Sequence, residues 1–200
     1  MRRVVDITVA LTGLLLLSPL LAVLALAIAI DSPGNPFYLA WRAGRGGRKF
    51  RMWKFRTMVQ GADRMGAPIT GRNDWRVTRV GRLLRRTKLD ELPQFINVML
   101  GSMTLVGPRP EAPEIVARYT ASQRAVLAVQ PGITGRVQLE SRGESEAIPE
   151  DARADEYYVR HVMEPKLRLD LDYLKVRTPW SDARIVVATL VVLLRSLVQK

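Results

Sequence analysis

Hydrophobic and polar positions are segregated along this 200-residue chain, with the longest apolar stretches towards its two ends. From Ile7 to Ile30 no side chain carries a formal charge, a run of 24 residues. As a straight helix it would be about 36 Å long, enough to cross a bilayer. Three readings compete. A cleaved signal peptide has a basic start in Arg2-Arg3 and a small-residue site at Ala25-Leu26-Ala27, but the run exceeds the roughly 7–15 residues of such a core. An ordinary spanning helix puts its ends on opposite sides, yet Arg2 and Arg3 precede the run and Arg42, Arg45, Arg48, Lys49 and Arg51 follow it. Basic flanks ask for the cytoplasmic face at both ends. A helix that enters, bends and returns on one face satisfies them. Pro19, at the middle, has no N–H for the Leu15 carbonyl and predicts a kink, and the Ser18 hydroxyl can satisfy part of the freed backbone. Residues 1–35 thus read as a re-entrant hairpin and 36–200 as a separate body.

The body mixes periods. Asp31 to Pro36 is a cluster of turn formers. Phe37–Trp41 and Phe50–Phe55 flank Ala43-Gly44-Arg45-Gly46-Gly47 and predict a β-hairpin, whose tryptophans and arginines suit either a membrane interface or a solvated edge. Gln60 to Asn73 reads as a loop. Arg72, Arg76, Arg79, Arg82 and Arg86 form a helical stripe. Pro93 to Met103 predicts a helix burying Phe95, Ile96, Met99, Leu100 and Met103. Gly107 to Glu111 reads as a rigid loop holding Arg109 between two prolines. A helix is expected over Glu114–Val129, a turn with free backbone N–H groups at Pro131–Gly135, irregular chain at Arg142–Asp151, and mostly helix over Ala152–Tyr173. Ile185 to Leu194 is apolar but too short to span, so it is a core helix or an amphipathic one at the interface. The fold class is α+β, mainly helical, with a small hairpin.

Charge narrows the chemistry. Lys+Arg number 31 against 19 Asp+Glu, a formal charge of +12, and 25 of the basic residues are arginine. Arginine's planar fork suits phosphate. With no cysteine and His161 the one histidine, thiolate and His-rich metal chemistry are excluded, leaving carboxylates, lysine, tyrosine, hydroxyls and a hard metal. Thr87 to Pro93 has the form of a capping box, Thr87 as cap and Asp90 three residues on, which places Asp90 and Glu91 at a helix N-terminus. Two acids complementing a helix dipole would be an ordinary reason for them. Alternatively, the dipole with Arg85, Arg86 and Lys88 keeps Asp90 ionised as an oxygen nucleophile or magnesium ligand. Composition does not choose. A nucleic-acid binder would use the charge but leaves the apolar run unexplained. A non-enzymatic basic protein on anionic lipid explains both.

The chain resembles the bacterial sugar transferases known as small monotopic phosphoglycosyl transferases. The likeness rests on Ser18-Pro19, Lys54-Phe55-Arg56-Thr57-Met58, Leu83-Leu84-Arg85-Arg86-Thr87, Leu89-Asp90-Glu91-Leu92-Pro93-Gln94, Asn97-Val98-Met99, Val106-Gly107-Pro108-Arg109-Pro110-Glu111, Pro131 to Gly135 and Leu169-Asp170-Leu171, in this order. It implies transfer of a phosphosugar from a UDP-sugar to polyprenyl (undecaprenyl) phosphate, with Asp90 as nucleophile, Glu91 its partner in acid/base or metal work, and Mg²⁺ beside Asp90. It further implies that Arg85, Arg109 and Arg142 surround phosphate and uridine, with Lys54 and Arg56 in a basic block. Asp170 matches an acidic motif, for which Asp155-Glu156-Tyr157-Tyr158 is a rival. Ser18-Pro19 matches the membrane break. Residues 36–200 become a catalytic domain with interfacial amphipathic helices, on the cytoplasmic face of the bacterial inner membrane. The partners are the two substrates and membrane lipid, with no nucleic acid, and a homodimer remains open.

Overall fold

A computed structural model describes residues 2–65, 74–140 and 154–198. The architecture is mainly helical, with two small two-stranded sheets. Helix α1 (Arg2–Asp31) runs through Pro19 without interruption of its helical residues. The Ser18 hydroxyl donates to the Leu15 carbonyl at 2.8 Å, the group that Pro19 leaves without its N–H. Ala10 and Ile28 are buried, while Leu15, Leu16 and Ile30 are 66%, 74% and 75% exposed. Polar groups at both ends of α1 tie it to the body. Arg3 donates to the Val98 and Met99 carbonyls at 2.6 and 3.0 Å. The Asp6 carboxylate accepts from the Thr104 hydroxyl at 2.6 Å and the Leu105 N–H at 3.3 Å. At the far end, Asp31 accepts from the Val80 N–H at 2.9 Å.

The expected hairpin is present as β1 (Phe37–Ala43) paired antiparallel with β2 (Lys49–Phe55), Ala40 opposite Met52. Ala40 and Met52 pack with Ala10 of α1 and with Val98 and Met103. The outer edge of β2 is closed by one side chain. Asn97 accepts from the Trp53 N–H at 2.8 Å and donates to the Arg51 carbonyl at 2.7 Å, giving that edge the partners a third strand would have supplied. Helix α2 (Arg79–Thr87) begins at Thr78, whose hydroxyl caps the Gly81 N–H at 3.0 Å. Gly81 is required there, because a Cβ would collide with the Thr57 backbone.

Helix α3 (Gln94–Leu100) lies between α1 and β2. The expected buried set holds in part: Met103 is fully buried and Phe95, Ile96 and Met99 partly so, but Leu100 is not. Gln94, Asn97 and Val98 are inside and Leu100 is 72% exposed, because the β2 edge takes Asn97 while Phe95 and Met99 turn towards the α1 side. The turn expected at Pro131–Gly135 is instead a strand, β4 (Gly132–Thr134), parallel to β3 (Thr104–Val106). At least one of its N–H groups is taken: Gly132 donates to the Pro108 carbonyl at 2.9 Å. The helix expected over Glu114–Val129 is confined to α4 (Pro113–Val116), followed by a 3₁₀ segment over Gln123–Ala128. Between them Thr120 accepts from the Gln123 N–H at 3.3 Å and Gln123 from the Thr120 N–H at 2.9 Å, local bonds that compete with helix continuation.

After the short α5 (Arg136–Glu140), α6 (Ala154–Tyr157) leads through a π-helical stretch, Tyr158–Met163, into α7 (Glu164–Val176). Tyr158, Val162, Met163 and Leu167 form a core with Ile115, Val116 and Tyr119. The last helix, α8 (Pro179–Val198), is longer than its apolar segment. Ile185 packs with Val106 and Tyr173, while Val187, Leu190 and Leu194 are 60%, 55% and 63% exposed.

Candidate active site

The site is built by a sharp turn after α2. Thr87 is not a helix cap. It ends α2, and its hydroxyl donates back to the Leu83 carbonyl at 2.8 Å and is 3.2 Å from that of Leu84. The next residue, Lys88, has φ +60°, the one non-glycine residue with positive φ among those described. This left-handed conformation costs an L-residue on the order of 1 kcal/mol. It turns the chain into a single 3₁₀ turn, Leu89–Glu91, that leads through Pro93 into α3. Asp90 and Glu91 therefore do precede a helix, placed there by the backbone of Lys88 rather than by a Thr87 cap.

Three elements bring cations to this turn. Lys54 projects from β2, with Nζ 3.2 Å from Glu91 Oε1 and 3.9 Å from Asp90 Oδ2. Arg109 comes from the loop after β3, where Gly107 donates to the Thr134 carbonyl and the Pro108 carbonyl accepts from Gly132, both at 2.9 Å. Its guanidinium grips Glu91 with two bonds, 2.6 Å to Oε1 and 3.3 Å to Oε2, the fork geometry that lysine cannot supply. Arg85 stands on α2 with Nε donating to the Thr57 hydroxyl at 2.8 Å.

The two acids differ sharply. Burial opposes ionisation of Glu91, but Arg109 and Lys54 more than offset it, so its carboxyl lies well below the usual carboxylate range. Asp90 is 7% exposed and only partly neutralised by Lys54; burial pushes its carboxyl above the ordinary value. That reverses the expectation that dipole and neighbouring cations would dominate, since desolvation is the larger effect. Asp90 Oδ1 is buried with no hydrogen-bond partner among the described residues. Burial likewise lowers the Lys88 and Arg85 groups from their ordinary values.

The remaining candidates separate. Arg56 is turned away from this cluster: its guanidinium donates to the Pro33 carbonyl at 3.0 Å and to that of Ser32, securing the turn after α1. Arg142 lies outside the described residues. Asp170, on α7, belongs to a second acidic cluster. Burial, and then the neighbouring Glu111, push its carboxyl up to about 7. Glu111 itself accepts from the Tyr158 hydroxyl. Arg109 joins the two clusters, because Arg109, Glu111, Tyr119, Lys166 and Asp170 line one cavity. Sequence reasoning missed Asn97, Thr57 and the Glu111–Tyr158 pair as contributors, although all but Tyr158 lie within the blocks that carry the family resemblance.

No group of three or more acidic or histidine side chains able to hold a metal occurs among the described residues. The unpartnered Asp90 oxygen nevertheless fits Mg²⁺, which takes one or two carboxylates and completes its shell with water and substrate phosphate.

The model of the family described as "Bacterial sugar transferase" matches residues 1–196. The chain belongs to this family. It is 40% identical over 194 residues to the UDP-glucose:undecaprenyl-phosphate glucose-1-phosphate transferase of Escherichia coli strain K12, covering 94% of this chain and 39% of that protein. It is 38% identical over 200 residues to the Caulobacter vibrioides protein of the same name, covering 94% and 67%. A third relative is the UDP-N-acetylgalactosamine-undecaprenyl-phosphate N-acetylgalactosaminephosphotransferase of Aeromonas hydrophila, 36% identical over 192 residues, with 94% and 42% covered. This sugar transferase chain thus spans about two fifths of the length of its Escherichia and Aeromonas relatives.

Proposed function

We propose that this sugar transferase moves a phosphosugar from a UDP-sugar to polyprenyl phosphate through a covalent intermediate on Asp90. The observation that carries the reading is the buried Asp90 carboxylate, one oxygen unpartnered, beside Lys54 and the Arg109–Glu91 pair. The names of the relatives supply both substrates. Asp90 attacks the sugar-side phosphorus. A bond forms from its carboxylate oxygen to phosphorus, the bond to the bridging oxygen breaks, and UMP leaves with the electron pair. A polyprenyl phosphate oxygen then attacks the same phosphorus and the Asp90 carboxylate departs. The acyl phosphate keeps the transfer potential of the diphosphate, so neither step is steeply uphill. One nucleophile serving two acceptors in turn gives ping-pong kinetics.

Lys54 and Arg109 hold phosphate oxygens where negative charge accumulates. Arg85 adds a cation on the α2 side. Glu91 fixes Lys54 and Arg109 relative to Asp90. Mg²⁺ held by Asp90 would neutralise diphosphate charge when bound.

The proposed membrane arrangement draws its support from α1. Its exposed face is apolar, and Arg3, Asp6 and Asp31 attach both of its ends to the same body. Both ends on one side support a monotopic, re-entrant helix on the cytoplasmic face, with α8 at the interface, and put the site within reach of a lipid phosphate. The cysteine-free sequence allows a direct check: single cysteines at Arg2 and Arg124 label from the same side of a vesicle. Labelling from opposite sides would exclude re-entry.

The chemical test is UMP release from a panel of UDP-sugars with undecaprenyl phosphate and Mg²⁺, with mass spectrometry of protein quenched before acceptor is added. The expected result is a phosphosugar on Asp90. A turning-over protein never loaded there would overturn the mechanism.

A further inference from the structure

The hairpin tip carries charge that the reaction does not use. From Ser32 to Ala62 the chain has no acidic residue and seven basic ones. Three of them, Arg45, Arg48 and Lys49, are exposed where β1 turns into β2. The turn is well defined: Gly44 donates to the Arg48 carbonyl at 2.8 Å and Gly47 to the Gly44 carbonyl at 3.0 Å. Gly46 and Gly47 take φ +66° and +75°, with open space on the side where a Cβ would point. None of the three cationic side chains has an ion pair or side-chain hydrogen bond among the described residues.

The position of this tip gives it a partner. Arg45, Arg48, Lys49 and Phe50 line one cleft with Gly101, Ser102 and Gln130. Gly101 lies against the Arg3 guanidinium, which is 3.2 Å from the point a Cβ there would occupy. Arg3 immediately precedes the exposed apolar residues Val4 and Val5 of α1, with Val9 exposed further along, and the exposed Leu100 adjoins Gly101. The cationic tip therefore stands at the end of α1 where the lipid-facing surface begins.

We infer that the hairpin tip, Arg45, Arg48 and Lys49 with Arg3 beside them, is a docking site for anionic phospholipid headgroups at the membrane surface. The inference rests on the proposed membrane placement of α1 and is independent of the transfer chemistry. A basic side chain at an anionic surface contributes roughly fivefold in affinity, so three contribute about 100-fold. A docked headgroup would fix the rotation of the body about α1 and hold the Asp90 site at a constant height above the leaflet.

The test uses the full chain in neutral detergent, titrated with phosphatidylglycerol or phosphatidylcholine and followed by native mass spectrometry. The wild type should retain phosphatidylglycerol about 100-fold better. The triple variant Arg45→Gln/Arg48→Gln/Lys49→Gln should bind both lipids alike while releasing UMP at the wild-type rate in detergent. An undiminished phosphatidylglycerol preference in that variant would overturn the inference. So would displacement of the lipid by millimolar inorganic phosphate, which marks a free-anion site, or by a short oligonucleotide. A wild type that keeps the preference but releases no UMP supports the docking site and removes the transferase reading alone.

Discussion

Two carboxylates in this protein are almost equally hidden from water, and they are satisfied in opposite ways. Asp6 is 9% exposed and Asp90 7%. Asp6 has its oxygens filled by the Thr104 hydroxyl and the Leu105 N–H. Asp90 leaves Oδ1 with nothing and faces Lys54 at 3.9 Å. A buried charge that is fully hydrogen-bonded is a structural fastening, here between the apolar helix and β3. A buried charge left short of partners costs stability and is ready for a ligand or an electrophile. Burial alone does not distinguish the two; the partners do.

The largest expected effect breaks this pair apart. Asp90→Asn should lower UMP release by on the order of 10³-fold or more and abolish the phosphosugar adduct, while the melting temperature holds or rises because a desolvated charge is gone. An Asp90→Asn protein that unfolds instead would make Asp90 another fastening.

Asp170 sharpens the comparison by titration. Its folded pKa of about 7 lies above the ordinary 3.8, so the folded state binds the proton more tightly than the unfolded chain does. Stability should fall as pH rises from about 4 to about 7, by at most about 4 kcal/mol. Asp170→Asn should remove that decline, melting higher than the wild type at pH 8 and alike near pH 4. Parallel melting curves at both pH values would place Asp170 in a solvated setting.

Asp6→Ala should cost about 2 kcal/mol in chemical denaturation, since Thr104 and Leu105 lose their acceptor, with the pH dependence of UMP release unchanged. Arg109→Lys should lower kcat/KM roughly 10- to 100-fold, because one ammonium cannot replace a two-bond fork. A kcat/KM within twofold of wild type would mean that the fork serves Glu91 alone. The smallest effect belongs to Lys88→Gly, which should raise stability by less than about 1 kcal/mol, because glycine adopts a positive φ without penalty.

Much of this was legible in the linear pattern. The 24-residue uncharged run, the hairpin around Gly44–Gly47 and the long α6–α7 segment are sums of local preference over many positions, and such sums survive packing. What failed was single-residue inference, together with the helix expected over Glu114–Val129, which local bonds between Thr120 and Gln123 interrupt. Thr87 has the spacing of a cap and is a helix end, because Thr78 took the capping role nine residues earlier. Leu100 has the spacing of a core residue and is exposed, because α3 turns Asn97 and not Leu100 towards β2. The Pro131–Gly135 turn is a strand, because β3 lay beside it as a partner.

The sequence by itself determined the apolar character of α1, the cationic excess, the absence of thiol chemistry and, through ordered blocks of residues, the family. These follow from composition and short-range order, which no later contact can revoke. Tertiary structure alone decided which acid is paired and which is left waiting. Glu91 and Asp90 are neighbours of the same chemistry. The loop after β3 delivers the Arg109 fork to Glu91 alone, and Lys54 from β2 sits closer to Glu91 than to Asp90. The inequality arises from side chains 37 and 18 positions away from Glu91, and charge at that range is set by where the folded backbone puts it.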